Sequence, residues 1–273
     1  MPVLTHASRK GPRAFLGIVT ALGLVALTLP VVALVYRALG AGDAIDRPET
    51  RDALRDALIL STWTSLVALA VIVTFGTPLA YVLARWRFPG NRIVDALIDL
   101  PIILPPAVAG IALLTAFGRR GILGEPLERL GLTLGFSTAA VVIAQVFVSA
   151  PFYIRTARAG FLRIDRTLEE AAGDLGASPL RVFWRVTLPL CRGSLLAGGV
   201  LAWARALGEF GATIMFAGNR QGVTQTMPLA IYERFGAGDL PAALVLSAIL
   251  LAASVSFLIA VRLLGESPTP RGG

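Results

Sequence analysis

EAAGDLGASPLRVFWRVTLP, residues 170–189, lies between two strongly apolar parts of the chain and mixes acids, arginines, glycines and prolines. Its spacing predicts two short helices. Thr167 and Glu170 match the capping box S/T-x-x-E, in which each side chain satisfies a backbone donor near the other. From that cap Leu168, Ala171, Ala172 and Leu175 fall at i, i+3, i+4 and i+7, one face of a helix. Gly176 stops the helix, because glycine accepts the left-handed conformation that follows a helix end. Ser178 and Pro179 restart the chain as N-cap and first helical residue. Leu180, Phe183, Trp184 and Thr187 repeat the pattern with Arg181 and Arg185 off that face, and Leu188-Pro189 is expected to end the second helix.

Two uses for such a segment are open. An amphipathic element lying in the lipid headgroup layer suits the second helix. It suits the first poorly, because that face is small and alanine-based and carries Glu169, Glu170 and Asp174, which anionic lipid repels. A compact helix of this kind fits the groove of another protein better.

The rest of the chain belongs to the membrane class. Of 273 residues 55% are hydrophobic and only 15% charged, against about 25% charged in soluble domains. Long apolar runs alternate with short charged ones, and six runs approach the roughly 20 residues that a helix needs to cross a bilayer. They cover 14–36, 57–84 (broken near Gly76 and Pro78), 96–117 (containing Pro101, Pro105 and Pro106), 137–154, 194–217 and 240–261. Helices are the expected spanning element, since the backbone must satisfy itself in lipid. The fold class is therefore an all-α integral membrane protein with six transmembrane helices and short tails at 1–13 and 263–273. The first run exceeds the apolar core of a cleavable signal and reads as an uncleaved signal anchor.

Arginine placement sets the expected orientation. With both termini on the cytoplasmic side, fifteen of the 25 basic residues lie inside, nine outside, and Arg205 within a span. The net charge of +8 belongs to these loops, and no basic helix with interleaved aromatics points to nucleic acid. Cys191 and His6 are single residues of their kind, which excludes an intrachain disulfide, a metal-ligand set and Ser-His-Asp catalysis. The one lysine, Lys10 in ASRKGP, does not fit G-x-x-x-x-G-K-[ST], so the chain has no phosphate-binding loop for ATP. No resident cofactor or metal is expected.

At this point the opening stretch resembles a known motif. Glu170, Ala171, Ala172, Gly176, Leu188 and Pro189 match the EAA motif of ABC importer permeases, with Val186 at the position of its isoleucine. In that family the segment is the coupling helix, which docks into a groove of a separate ATP-hydrolysing subunit. The missing phosphate-binding loop agrees with a motor on another chain. GTPLAYVLARWRFPG (76–90), LIDLPIILPPAVAGIALL (97–114), WARALGEFGATIMFAGN (203–219) and TQTMPLAIYERF (224–235) look like the molybdate, tungstate and sulfate permeases, the last two closest to the molybdate/tungstate branch. The resemblance implies a type I ABC importer fold over 55–262, with the coupling loop between helices four and five. It implies a homodimer, two ATPase subunits that bind ATP and magnesium, and an extracytoplasmic oxyanion-binding protein in an inner, cytoplasmic membrane. The implied cargo is molybdate or tungstate, with sulfate or thiosulfate as the alternative.

Candidate pore residues follow from charges and breaks inside the spans. Arg205 and Glu209 lie four residues apart on one face of the fifth span. They form either a neutral pair that locks two helices or a positive lining for an anion path. Gly208, Phe210 and Met215 belong to the GEFGATIM run, which serves close helix packing or a constriction plugged by Phe210 or Met215. Pro105 and Pro106 should kink the third span and turn it toward the same path. An ion-coupled secondary transporter would need two related halves and midplane carboxylates; only Glu209 qualifies. A membrane scaffold without transport would leave the Arg205–Glu209 pair and the proline break without a role.

Overall fold

The computed structural model describes residues 10–265, and among these every regular element is helical. Five helices are long and apolar enough to cross a membrane, or six if a sharply bent pair counts as one span. The tails expected at 1–13 and 263–273 lie outside the described residues at 1–9 and 266–273; their remaining residues continue the first and last helices.

The centre of the molecule is a three-helix unit of α2 (Pro48–Arg85), α6 (Thr138–Arg163) and α9 (Leu188–Leu207). Its core joins Ile72, Ala80, Ala84, Tyr153, Ala157, Phe161, Cys191 and Ala202. Glycines set how closely these helices approach. A Cβ on Gly76 would lie 3.0 Å from the Tyr153 ring, and one on Gly198 3.1 Å from the Thr156 side chain. Small residues at crossings are how membrane helices gain close packing without a hydrophobic drive between them. The Thr62, Thr64 and Ser65 hydroxyls turn back onto carbonyls of their own helix, whereas Thr77 meets the Tyr153 hydroxyl at 2.6 Å.

Several spans outrun their expected bounds, α2 and α6 by about two turns each. α2 starts at Pro48, not 57, and continues through Gly76 and Pro78 without a break. Pro78 cannot donate to the preceding turn, but Thr77 closes onto the Val73 carbonyl at 2.7 Å and the Tyr153 contact fixes the helix there. α6 runs to Arg163 instead of 154. Its last turns remain helical because Ala157, Gly160 and Phe161 stay buried while Arg155 and Arg163 turn outward.

The third span is not one kinked helix. α3 (Asn91–Ile103) and α4 (Pro106–Phe117) meet at an angle of 117° across Leu104 and Pro105. Pro105 and Pro106 bring no backbone N–H to continue α3, and Pro106 begins a new helix where its missing donor costs nothing. The fifth span is also divided. α9 stops at Leu207, and after Gly208, Glu209 and Phe210 the short α10 (Gly211–Phe216) takes a new course. α10 packs between α4 and α6 in a second core of Ala109, Leu113, Ala140, Ala144, Ala212 and Phe216. A third core joins α2 to α11 (Met227–Gly236) and α12 (Leu240–Gly265) through Ala57, Met227, Ala230 and Leu246. α1 (Lys10–Leu39) leans mainly on α12 and is exposed along most of its described residues.

Candidate functional site

The segment between α6 and α9 forms α7 (Arg166–Asp174) followed by a tight stop and a restart at Pro179. Its cap is not the expected one. Asp165, not Thr167, is the N-cap, and its carboxylate accepts from the Thr167 backbone N–H at 3.0 Å. That bond holds the exposed Asp165 carboxyl below the usual carboxylate range. Thr167 sits two residues too far in to cap, and Glu170 is exposed. The stop is the one expected. Gly176 has φ +84°, Ala177 N–H donates to the Ala172 carbonyl at 3.0 Å and Gly176 N–H to Gly173 at 2.8 Å, the bond pattern that closes a helix C-terminus on glycine.

The restarted helix does not end at Leu188-Pro189. Residues Pro179–Leu207 run as one helix, with a single widened turn at Phe183–Thr187 in which Leu188 N–H reaches back to Phe183. The wide turn accepts Pro189 because the ladder has already shifted by one residue there.

One face of α7 is tied down and the other is bare. Glu169 pairs with Arg85, the last residue of α2, at 2.8 Å, and the same oxygen accepts from the Thr187 hydroxyl at 2.7 Å. Arg166 adds a bond to the Arg85 carbonyl at 3.0 Å. The Arg85 side chain is only 7% exposed, so this is a nearly buried ion pair joining α7 to the ends of two spans. Sequence reasoning missed Glu169: nothing in its spacing sets it apart from Glu170 until Arg85 is placed opposite. The remaining face carries Leu168, Ala171 and Leu175, and Leu175 is 90% exposed; Leu180 and Trp184 continue the apolar surface beyond the turn. Of the motif residues, Glu170, Ala171 and Gly176 are exposed, Ala172 and Leu188 half-buried, and Pro189 exposed.

The breaks in the third and fifth spans meet. A Cβ on Gly211 would overlap Pro106, and one on Gly110 would lie 2.6 Å from the Met215 Cβ and 2.7 Å from the Ala212 carbonyl. Pro105, Pro106, Gly208, Glu209, Phe210 and Met215 therefore belong to one junction, with Arg205 in the last turn of α9 beside it. Glu209 is 1% exposed and uses both carboxylate oxygens: one accepts from Ala212 N–H at 2.8 Å, and the other lies 2.7 Å from the Arg205 guanidinium. The acid thus caps α10 and holds Arg205 across the break. Phe210 packs at a tilt against Tyr232 of α11, ring centroids 5.0 Å apart, and Met215 is exposed. No group of three metal-ligating side chains converges among the described residues.

Two discontinuous spans thus meet where Glu209 holds Arg205, and a bare apolar face lies on a helix tied to two other spans. The chain is similar to known proteins in sequence and in fold. Over 239 residues the chain is 45% identical to the molybdenum transport system permease protein ModB of Mycobacterium bovis, covering 85% of this chain and 88% of that protein. It is 37% identical over 239 residues to the probable sulfate transport system permease protein cysT of Chlorokybus atmophyticus, covering 86% and 82%. Its fold matches a chain in the crystal structure of a bacterial ABC transporter involved in alginate import, with TM-score 0.72 over 93% of this chain and 96% of that one at 15% identity. Residues 76–267 match the family described as binding-protein-dependent transport system inner membrane component, and the chain belongs to that family.

Proposed function

We propose that the chain is the permease subunit of an ATP-driven importer that moves a tetrahedral oxyanion, molybdate or tungstate, across the cytoplasmic membrane by alternating access. The observation that carries the coupling part is α7. Its apolar face lies bare while its acidic face is fixed to Arg85 and Thr187. A partner seated on Leu168, Ala171 and Leu175 pushes on both α2 and α9. The partner is an ATPase subunit, two copies to a homodimer of this chain, and it binds the ATP and magnesium that the permease has no loop to hold. An extracytoplasmic binding protein delivers the oxyanion, and both termini face the cytoplasm. The named molybdenum permease supports the cargo assignment.

The anion path runs past the junction of α4, α9 and α10, with Arg205 as its positive group and Glu209 as the residue that positions it. A fixed guanidinium favours an oxyanion that has lost part of its hydration. The relatives among sulfate permeases give the second reading, sulfate or thiosulfate, on the same path.

The test uses the reconstituted complex with its binding protein. Glu170→Lys and Gly176→Trp should leave the protein in the membrane and uncouple ATP hydrolysis from oxyanion uptake. Normal uptake by both variants overturns the coupling role. Competition among molybdate, tungstate and sulfate for uptake then ranks the cargo.

A further inference from the structure

The turn that joins α2 to α3 closes a basic pocket that the transport path does not use. Gly90, at φ +104°, reverses the chain and starts α3. Around it a cavity of about 650 Å³ is lined by Trp86, Arg87 and Arg92 from the turn and α3, by Arg158 of α6, and by Arg166, the first residue of α7. Four guanidinium groups face this space, yet few acids answer them. Arg158 is paired with Asp95, and Arg166 donates to a neutral carbonyl, that of Arg85. Arg87 and Arg92 have no acidic partner among the described residues. The nearby acids are already committed, Asp99 to Arg155 and Glu169 to Arg85.

The rim has the opposite character. Trp86, Phe88, Ile93 and Leu162 are exposed, at the same end of the bundle where α2 and α6 stop. Water-soluble anions satisfy the arginines but leave that rim bare, whereas lipid tails alone cover the rim and leave the arginines. A ligand with a phosphate group and an apolar tail answers both. Guanidinium groups bind phosphate oxygens in paired, charge-assisted hydrogen bonds, and basic pockets between helices at the cytoplasmic face bind lipid headgroups.

We propose that this pocket is a discrete binding site for the phosphate of an anionic phospholipid, held by Arg87 and Arg92 with Arg158 and Arg166 behind them. The assignment of this face to the cytoplasmic leaflet rests on the permease reading; the binding itself does not. Because Arg166 opens α7, the lipid lies at the base of the coupling element and ties it to the bilayer. A diffuse excess of positive charge, the general feature of inner loops, would not saturate and would not depend on two particular arginines.

The experiment reads lipid binding by native mass spectrometry of the full transporter complex, released from neutral phosphatidylcholine membranes and titrated with phosphatidylglycerol. The wild type should fill a saturable site. Arg87→Gln/Arg92→Gln should weaken it about thirtyfold, the effect of removing two arginines from beside a phosphate. Arg87→Lys/Arg92→Lys should retain most of the binding, and Arg119→Gln/Arg120→Gln, in the turn after α4, should match the wild type. Equal occupancy in the wild type and the Gln pair overturns the site. Lipid bound to the permease chain but lost whenever the ATPase subunits are present also overturns it, the pocket then belonging to the subunit interface. Millimolar inorganic phosphate is the second arm: displacement of the lipid by phosphate alone overturns the lipid assignment and leaves a site for the free anion, whereas lipid retained under phosphate supports it. Since no transport is measured, failure here leaves the permease reading standing.

Discussion

Glu209 shows what one residue can settle at a break in a span. One oxygen replaces the backbone partner that Ala212 lacks at the start of α10, and the other fixes Arg205. Glu209→Leu removes both at once and strands a buried donor, which costs about 1–3 kcal/mol; a lowered unfolding temperature of the detergent-purified complex measures it. Glu209→Gln keeps an acceptor for Ala212 and should be milder in stability. Arg205→Ala separates the two uses of the pair. As a path residue its loss lowers oxyanion flux while the ATPase subunits still copurify, and unchanged flux assigns the pair to locking the helices.

At the scale of the element, α7 depends on two residues that do different things. Glu169→Ala leaves Arg85 nearly buried without its partner, a loss of about 3 kcal/mol for a well-enclosed ion pair. Faster hydrogen exchange across 166–174, together with hydrolysis no longer matched by uptake, is the expected result. Asp165→Ala removes the N-cap, again seen as faster exchange in α7. The Asp165 carboxyl is depressed in the fold, so its cap is present above the ordinary carboxylate value and is lost as pH falls through the lower folded value. Coupling through α7 should therefore be flat across neutral pH and weaken only in acid.

Much of this element could be read in the chain itself, and what escaped has physical causes. Gly176 was legible because only a left-handed turn explains a glycine after an apolar helical face. The capping box was misplaced because Asp165 and Thr167 offer the same chemistry two residues apart, and the choice lies with where α6 ends. Pro189 suggested a helix end because a periodicity reading assumes a fixed ladder, which the wide turn at 183–187 shifts. The proline break at 105–106 was visible, but its 117° angle was not, since composition records a lost donor and not a direction. The division at 208–210 was not legible as a break: Gly208, Glu209 and Gly211 fit close packing within one span equally well. Arg205 and Glu209 could still be singled out, because a charge inside an apolar run stands out whatever the helix does around it.

For the molecule as a whole, the two divided spans give a junction held by shape instead of by area. α4 and α10 touch through glycines that leave no room for a side chain. Gly110→Val should force them apart at a cost of about 1–3 kcal/mol for overpacking, and it should disturb transport before assembly, with the ATPase subunits still bound and flux reduced. The long elements serve another purpose. Pro179–Leu207 is a single helix with the bare apolar surface at one end and Arg205 near the other. At 1.5 Å per residue it is a lever roughly 40 Å long, so each degree of tilt at the first end swings the Arg205 end by about 0.7 Å. A motion of a few degrees, smaller than any rearrangement of the fold, is enough to move a guanidinium by the width of a hydrogen bond.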